Sequence, residues 1–291
     1  MRIGVSFPTT EIGNNPNDIR TFAREVEAMG YDYLTCIDHV IQGREPVADD
    51  WRAYYVRANP FHETLVLFGF LAAVTETIGL TSAILILPQR PTVLVAKQLA
   101  EIDVLSGGRL RAGVGIGWNE LEFEILGQSF KNRAPRMEEQ IDVMRRLWTQ
   151  ELVTYSGEWH EIDDAGINPL PVQQPIPIWI GAFVTPAIRR AGRLADGLLL
   201  NPRVKPGTDE ATSAIENFRD AAQEAGRDAA SLGLEATVFT EGRGANAIRE
   251  EVEAWRERGA TYLTVRTMTA GLGGVDAHLK ALEAAREAVT N

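Results

Sequence analysis

A closed α/β barrel of eight parallel strands is the fold this sequence predicts, on three observations. Strand-like and helix-like stretches alternate from one end of the chain to the other, which favours an all-parallel sheet with helices outside it. Eight such units fit in 291 residues, a size that suits one barrel better than an open doubly wound sheet. No linker, repeat or low-complexity run divides the chain, so residues 1–291 read as one domain with inserted loops.

Arg2 to Phe7 is the first expected strand. A helix follows from Asn17 to Met29, with Ile19, Phe22, Val26 and Met29 on one face and Gly30 ending it. Tyr31 to Ile37 is the second strand and runs straight into Asp38-His39. The loop Val40–Asn59 is long and rich in charges, prolines and aromatics, as functional loops often are. A helix is expected from Pro60 or Phe61 to about Thr75. The stretch from Gly79 to Leu87 is almost wholly apolar, which suits a strand buried on both faces.

Pro91 to Trp118 is the most informative run. Pro91 suits a first helical turn, and Val95, Leu99 and Ile102 share a helical face. Gly107-Gly108 stops that helix, and Arg109–Val114 alternates as a strand. Gly113, Gly115 and Gly117 then leave the backbone bare where the strand ends, so that a ligand can approach. The spacing G-x-G-x-G, followed by Trp118-Asn119-Glu120, is not the dinucleotide fingerprint. Beyond it lie a helix at about 135–148, an extended excursion at 153–162 turning at Ser156-Gly157, and a strand at 177–181. The remaining expectations are a helix at 187–194, a strand at 196–200, a helix at 208–225, a strand at 234–239, a helix at 245–258, a strand at 261–266 and a last helix at 275–289.

The net charge of −11 argues against a nucleic-acid partner, which would need a basic face. No segment is long and apolar enough to span a membrane, and MRIGVSFPTT lacks the pattern of a signal peptide. The single cysteine, Cys36, excludes an intramolecular disulfide and reads as a buried structural thiol. A cytoplasmic location is expected.

Barrel sites lie at the carboxyl ends of the strands. There the sequence puts Thr9, then Asp38 and His39, Ser82, the segment Gly115-Ile116-Gly117-Trp118, Gly181-Ala182-Phe183 and Arg266. His39 is the best proton-handling candidate, because imidazole titrates near neutrality and Asp38 can tune it. Gly181 and the helix opened by Pro186, with Thr185 as its cap, form an expected anion site facing the other glycine exit across the mouth. Thr9, Trp51, Trp118 and Glu120 are the expected substrate side. Trp51, Tyr54 and Tyr55 either wall that pocket or pack its loop down. Glu120, Glu122 and Glu124 read as a solvated face, with Glu120 alone near enough to matter. His62, His160 and His278 read as structural or exposed. No His and carboxylate cluster has metal spacing, so no metal is expected. No Ser-centred nucleophile elbow is present.

The strings AKQLAEID, VLSGGRL, GVGIGW and RRAGRLADGLLL resemble those of the bacterial luciferase-like superfamily of flavin- and deazaflavin-dependent oxidoreductases. That resemblance implies a (β/α)8 TIM barrel binding FMN or coenzyme F420 at the strand ends. The pair Asp38-His39 matches the F420-dependent branch, which implies hydride transfer between F420 and a small organic substrate. The alternative it implies is an FMN-dependent monooxygenase using reduced flavin and dioxygen. A barrel that carries a phosphorylated ligand without turnover is a third reading. The family often has a non-proline cis peptide in the third strand, which falls on Ser82-Ala83 here. It binds cofactor phosphate with loops matching Gly115-Ile116-Gly117 and Gly181-Ala182-Phe183. The related sugar-phosphate dehydrogenases carry a glutamate after the fourth-strand glycines; Trp118 stands there in this chain, which implies a more apolar pocket. The last two strands match weakly. Homodimers across a helix face are common in the family, and a homodimer is expected.

Overall fold

The computed structural model describes residues 1–46, 52 and 55–290. Eight strands close into a parallel barrel: β1 (Arg2–Ser6), β2 (Tyr33–Cys36), β3 (Gly79–Ser82), β5 (Leu110–Gly115), β8 (Ile178–Ala182), β9 (Gly197–Leu200), β10 (Gly233–Phe239) and β11 (Tyr262–Arg266). Closure comes from two pairings: β3 lies beside β5, with Leu80 opposite Leu110, and β1 lies beside β11, with Ile3 opposite Leu263. The expected alternation is therefore the observed one. Three short strands lie outside the ring: β4 (Leu85–Ile86) continues β3 along β5, and β6 (Val153–Ser156) pairs antiparallel with β7 (Glu161–Ala165) as the excursion.

The helices are α1 (Pro16–Ala28), α2 (Thr64–Val74), α3 (Thr92–Ser106), α4 (Glu120–Ile125), α5 (Arg133–Thr149), α6 (Thr185–Leu194), α7 (Asp209–Glu224), α8 (Ala245–Glu257) and α9 (Gly274–Thr290). Local chemistry sets their ends. Asn15 accepts the Asn17 amide at the start of α1, and Gly107, at φ 67°, closes α3 in the left-handed conformation glycine tolerates. α2 starts later than the sequence suggests. Glu63 caps it by accepting the Val66 amide at 2.8 Å, so Pro60 to His62 stay outside the helix. None of the described helices is long and apolar enough to cross a membrane.

The expected strand 79–87 is interrupted. The Ala83–Ile84 peptide is cis, one residue beyond the expected Ser82–Ala83, and the chain bulges there before β4 and a 3-10 turn at Leu87–Gln89.

The floor of the barrel is charged and aromatic. Arg111 points inward, pairs with Glu235 at 2.5 Å and donates to Thr81 at 3.1 Å. Its guanidinium lies over the rings of Trp179 (4.2 Å), Tyr262 (4.4 Å) and Tyr33 (4.9 Å). Thr264 donates to the other Glu235 oxygen at 2.7 Å and shares a hydrogen bond with Tyr33. The ion pair is thus buried among aromatic rings, with hydrogen bonds to both Glu235 oxygens. The layer closes the barrel from below, so a ligand enters only from the carboxyl ends of the strands.

Candidate active site

At those ends lies a cleft of about 710 Å³, large enough for a tricyclic ring and a small second molecule. Its two halves are built differently.

One half is a wall of main chain. A Cβ at Gly113 would overlap the carbonyl oxygen of Ser82, so only glycine lets the bulge close on β5. A Cβ at Gly115 would come within 2.6 Å of Ile84 Cδ1, and one at Gly181 within 2.6 Å of Ile84 Cγ2. Gly115 and Gly181 thus form a socket for the bulge residue Ile84. They are neighbours, since β5 and β8 pair with Val114 opposite Ile180. This corrects the expectation that the two glycine exits face each other across the mouth. It also corrects their reason, because the space they free is filled by the chain itself. Gly117, at φ 70°, makes room for Ile86 in the same way. Ala83, Ile84, Gly115, Ile116, Gly117 and Ala182 line this side of the cleft, with Phe183 at the rim, half exposed. Ser82 does not line it. It is fully buried, and its hydroxyl donates to Gly113 O at 2.8 Å.

The expected cap of α6 is also corrected. Val184 holds the cap position and Thr185 is the first helical residue, with no side-chain cap bond. The first-turn amides therefore stay free of a cap side chain at the cleft rim, where Val184 and Ala187 line the space.

The other half is made of side chains. Ser6 on β1 and Thr35 on β2 are register partners, and Thr237 and Thr264 face the cleft from β10 and β11. Above them stand Arg203 and Arg266. Burial raises the pKa of Tyr55, and the charges of Arg266 and Arg203 pull it back, so the phenol lies in their field.

His39 stands between the halves. It is only 5% exposed, and its ring is framed by Tyr55 at 4.5 Å, Phe61 at 5.3 Å and Trp118 at 5.7 Å. Its Nδ1 is 3.0 Å from Glu122 Oε2. Nε2 has no hydrogen bond among the described residues and is the nitrogen left for the cleft. Glu122 Oε1 accepts the amides of Val40 at 2.6 Å and Ile41 at 3.3 Å. Burial acts to raise the Glu122 pKa, but the His39 and Val40 hydrogen bonds outweigh it and hold the group below the ordinary glutamate value.

This overturns the reading of the three glutamates as a solvated face. The segment is helical, so Glu122 points opposite to Glu120 and Glu124; it is fully buried while they are exposed. Glu120 does not line the cleft. The spacing Asn119-x-x-Glu122 marks a helix start, though Asn119 makes no side-chain cap bond and Glu122 turns to His39 instead.

Asp38 is not a free catalytic acid. Its carboxylate is fully buried, takes Arg90 at 2.8 Å and Thr64 at 3.3 Å on one oxygen, and takes the Ile86 amide at 3.0 Å on the other. It ties the strand before His39 to the bulge that carries Ile84. Burial raises its pKa against the pull of Arg90 and the Ile86 amide. Thr9 is fully buried, accepts the His62 amide and does not line the cleft. Trp51 and Tyr54 lie outside the described residues. Cys36 is a buried free thiol, with its pKa pushed up to about 12, first by burial. His62, His160 and His278 bond to Gly13 O, to Thr92 and Glu139, and to Thr267, respectively, and none lines the cleft.

A bound deazaflavin or flavin needs a flat apolar wall, cationic or amide donors for its phosphate, and a proton-handling group. Ile84 with its socket, Arg203 and Arg266 with the start of α6, and His39 supply these, so the residues present fit such a group.

Comparison with known proteins agrees with this architecture. The chain is 33% identical over 267 residues to an uncharacterized protein of Mycobacterium tuberculosis, covering 90% of each. It is 28% identical to an F420-dependent glucose-6-phosphate dehydrogenase of Amycolatopsis mediterranei, over 75% of this chain and 66% of that one. Its fold matches an F420-dependent secondary alcohol dehydrogenase solved with an F420–acetone adduct, with a TM-score of 0.82 at 18% identity over 100% and 99% of the two chains. The family model described as luciferase-like monooxygenase matches residues 1–288, and the chain belongs to that family.

Proposed function

We propose that the protein is an F420-dependent oxidoreductase that passes hydride between the deazaflavin and a small organic substrate. The observation that carries this reading is His39, walled by aromatic rings and held through Nδ1 so that Nε2 meets the cleft. Relatives and fold neighbours named for F420 chemistry support it.

When bound, F420 supplies the hydride acceptor or donor. The chain's own residues do the rest. Ile84 on its glycine socket gives a rigid surface for a planar ring. Arg203, Arg266 and the first turn of α6 hold an anionic group at the rim. Trp118, Tyr55 and Phe61 keep water from His39, which exchanges a proton with the substrate at Nε2. Ser6, Thr35 and Thr237 offer hydrogen bonds to a polar, uncharged substrate group. No lysine lines the cleft among the described residues, and Trp118 replaces the acidic residue of sugar-phosphate enzymes, so a sugar phosphate is not the substrate favoured.

The test is anaerobic incubation with F420 and a panel of primary, secondary and cyclic alcohols, following loss of the oxidised deazaflavin's visible absorbance. Bleaching with at least one alcohol is expected, and none across the panel counts against the reading. The whole-chain match to a monooxygenase-named family favours FMN chemistry as the second reading; oxygen uptake with reduced FMN would support it. We further assign the protein to the cytoplasm as a homodimer joined across α2 and α3, where Val66 is 72%, Leu94 54% and Leu105 59% exposed. Sedimentation at the mass of one chain would refute the dimer.

A further inference from the structure

We propose that Glu122 is a positioning residue that selects the tautomer of His39, placing the proton on Nδ1 and a lone pair on Nε2 toward the cleft. The inference rests on the reading of His39 as the proton-exchanging group. It concerns which way that exchange starts.

Oε1 of Glu122 already accepts two main-chain N–H groups, from Val40 and Ile41. Those groups can only donate, so Oε1 can only accept. Oε2 lies 3.0 Å from Nδ1 of His39. A buried carboxylate that takes two amides is held ionised. An ionised carboxylate offers no proton, so Nδ1 must donate. In the neutral ring Nε2 is then an acceptor. Glu122 sits on α4, 83 residues from His39, and its side chain is fully buried. The two residues are locked together by packing that neither loop controls alone.

The consequence is a direction. With its ring neutral, His39 meets the substrate as a base, which suits a substrate bearing a hydroxyl on the carbon to be oxidised. The hydroxyl proton goes to Nε2 as the C–O bond becomes C=O. With F420 bound, the hydrogen on carbon would leave with its electron pair to the oxidised deazaflavin, and the imidazolium proton would pass to water once the product leaves.

Glu122→Gln gives a sharp test because it is nearly isosteric. The glutamine has one accepting oxygen, and the Val40 and Ile41 amides require it. Its NH2 must then face Nδ1, which becomes the acceptor, and the His39 proton moves to Nε2. The number of hydrogen bonds is kept while the tautomer is reversed. The readout is the ¹H–¹⁵N correlation spectrum of the histidine rings in the protein without cofactor. It is recorded at about pH 9, where imidazole is generally neutral. The chain has four histidines, and His39→Asn identifies the signals of interest.

The wild type is expected to show a pyrrole-like Nδ1 and a pyridine-like Nε2, and Glu122→Gln the reverse. With F420 and an active alcohol, the variant is expected to lose turnover about 100-fold or more, with F420 affinity changed less than twofold. A protonated Nε2 in the wild type overturns the proposal, even if the variant fails to fold. So does an unchanged tautomer in the variant. The spectra need no cofactor, so failure of the F420 reading would show separately, as absent F420 binding beside the expected tautomers.

Discussion

The two halves of the barrel mouth reach the same cleft by opposite means. On the β3–β5–β8 side the side chains have been removed, and the surface is set by the bulge at Ala83–Ile84 seated on Gly113, Gly115 and Gly181. On the β1–β2–β10–β11 side the backbone is regular, and side chains carry the chemistry through hydroxyls, His39 and Arg266. The difference teaches where a substitution should act. A change at Gly113 acts on the fold, because it meets the Ser82 carbonyl, while changes at Gly115 or Gly181 act on the seat of the Ile84 side chain. Changes on the hydroxyl side act on ligands where, as at Ser6, Thr35 and Thr237, the side chain lines the cleft.

The largest effect expected is for Gly113→Ala. Its methyl would enter the Ser82 carbonyl, which no rotamer change relieves. A loss of about 4 kcal/mol or more, seen as a fall in Tm above 10 °C or as insoluble protein, is expected. A variant with wild-type Tm would break the comparison at its strongest point.

Asp38→Asn comes next. It stands at the seam of the halves, and the substitution leaves Arg90 with Glu63 as its one carboxylate and sets an NH2 against Arg90 or the Ile86 amide. Denaturant unfolding should show a loss of about 2–3 kcal/mol. F420 binding should weaken too, because the Ile84 bulge loses its tether.

A pH scan of stability should sharpen the account of the seam. The folded pKa of Glu122 lies below its unfolded value, so its contribution is fully present above the unfolded pKa of about 4.3. It is lost as pH falls through the folded pKa. Melting curves of the wild type below about pH 4.3 should fall more steeply than those of Glu122→Gln, which has no proton to take up. Parallel curves would remove Glu122 from the acid response.

The smallest effect on the fold is expected for Thr35→Val on the hydroxyl side. The shape is nearly kept, and among the described residues no hydrogen bond of the Thr35 hydroxyl holds the barrel. Stability should change by less than about 1 kcal/mol, while KM for a polar substrate rises several-fold. A large fall in Tm with unchanged KM would reverse the assignment of the two sides.

Much of this molecule was legible before its structure. The β–α alternation is a local signal repeated along the chain, and the helix stops at Gly30 and Gly107 are conformational requirements written in single residues. His39 was legible as chemistry placed after a strand. What could not be read depended on which strands become neighbours. Gly115 and Gly181 look like room for a ligand until Ile84 is found in that room. Glu122 looks like one of three solvated acids until α4 turns it toward a histidine far away in the chain. Arg111 and Glu235 are more than a hundred residues apart, and nothing local to either marks them as partners inside the barrel. The bulge was expected from family likeness, but an apolar run such as TSAIL does not mark which peptide bond is cis.

The mouth is proposed to receive F420, with the glycine-backed wall as its seat. The most direct measurement is an equilibrium titration of the protein with F420, followed by its fluorescence, beside the same titration with FMN. Saturable F420 binding with a Kd near or below about 10 μM, and at least tenfold weaker FMN binding, is the expected result. Tight FMN binding with no F420 binding would contradict it.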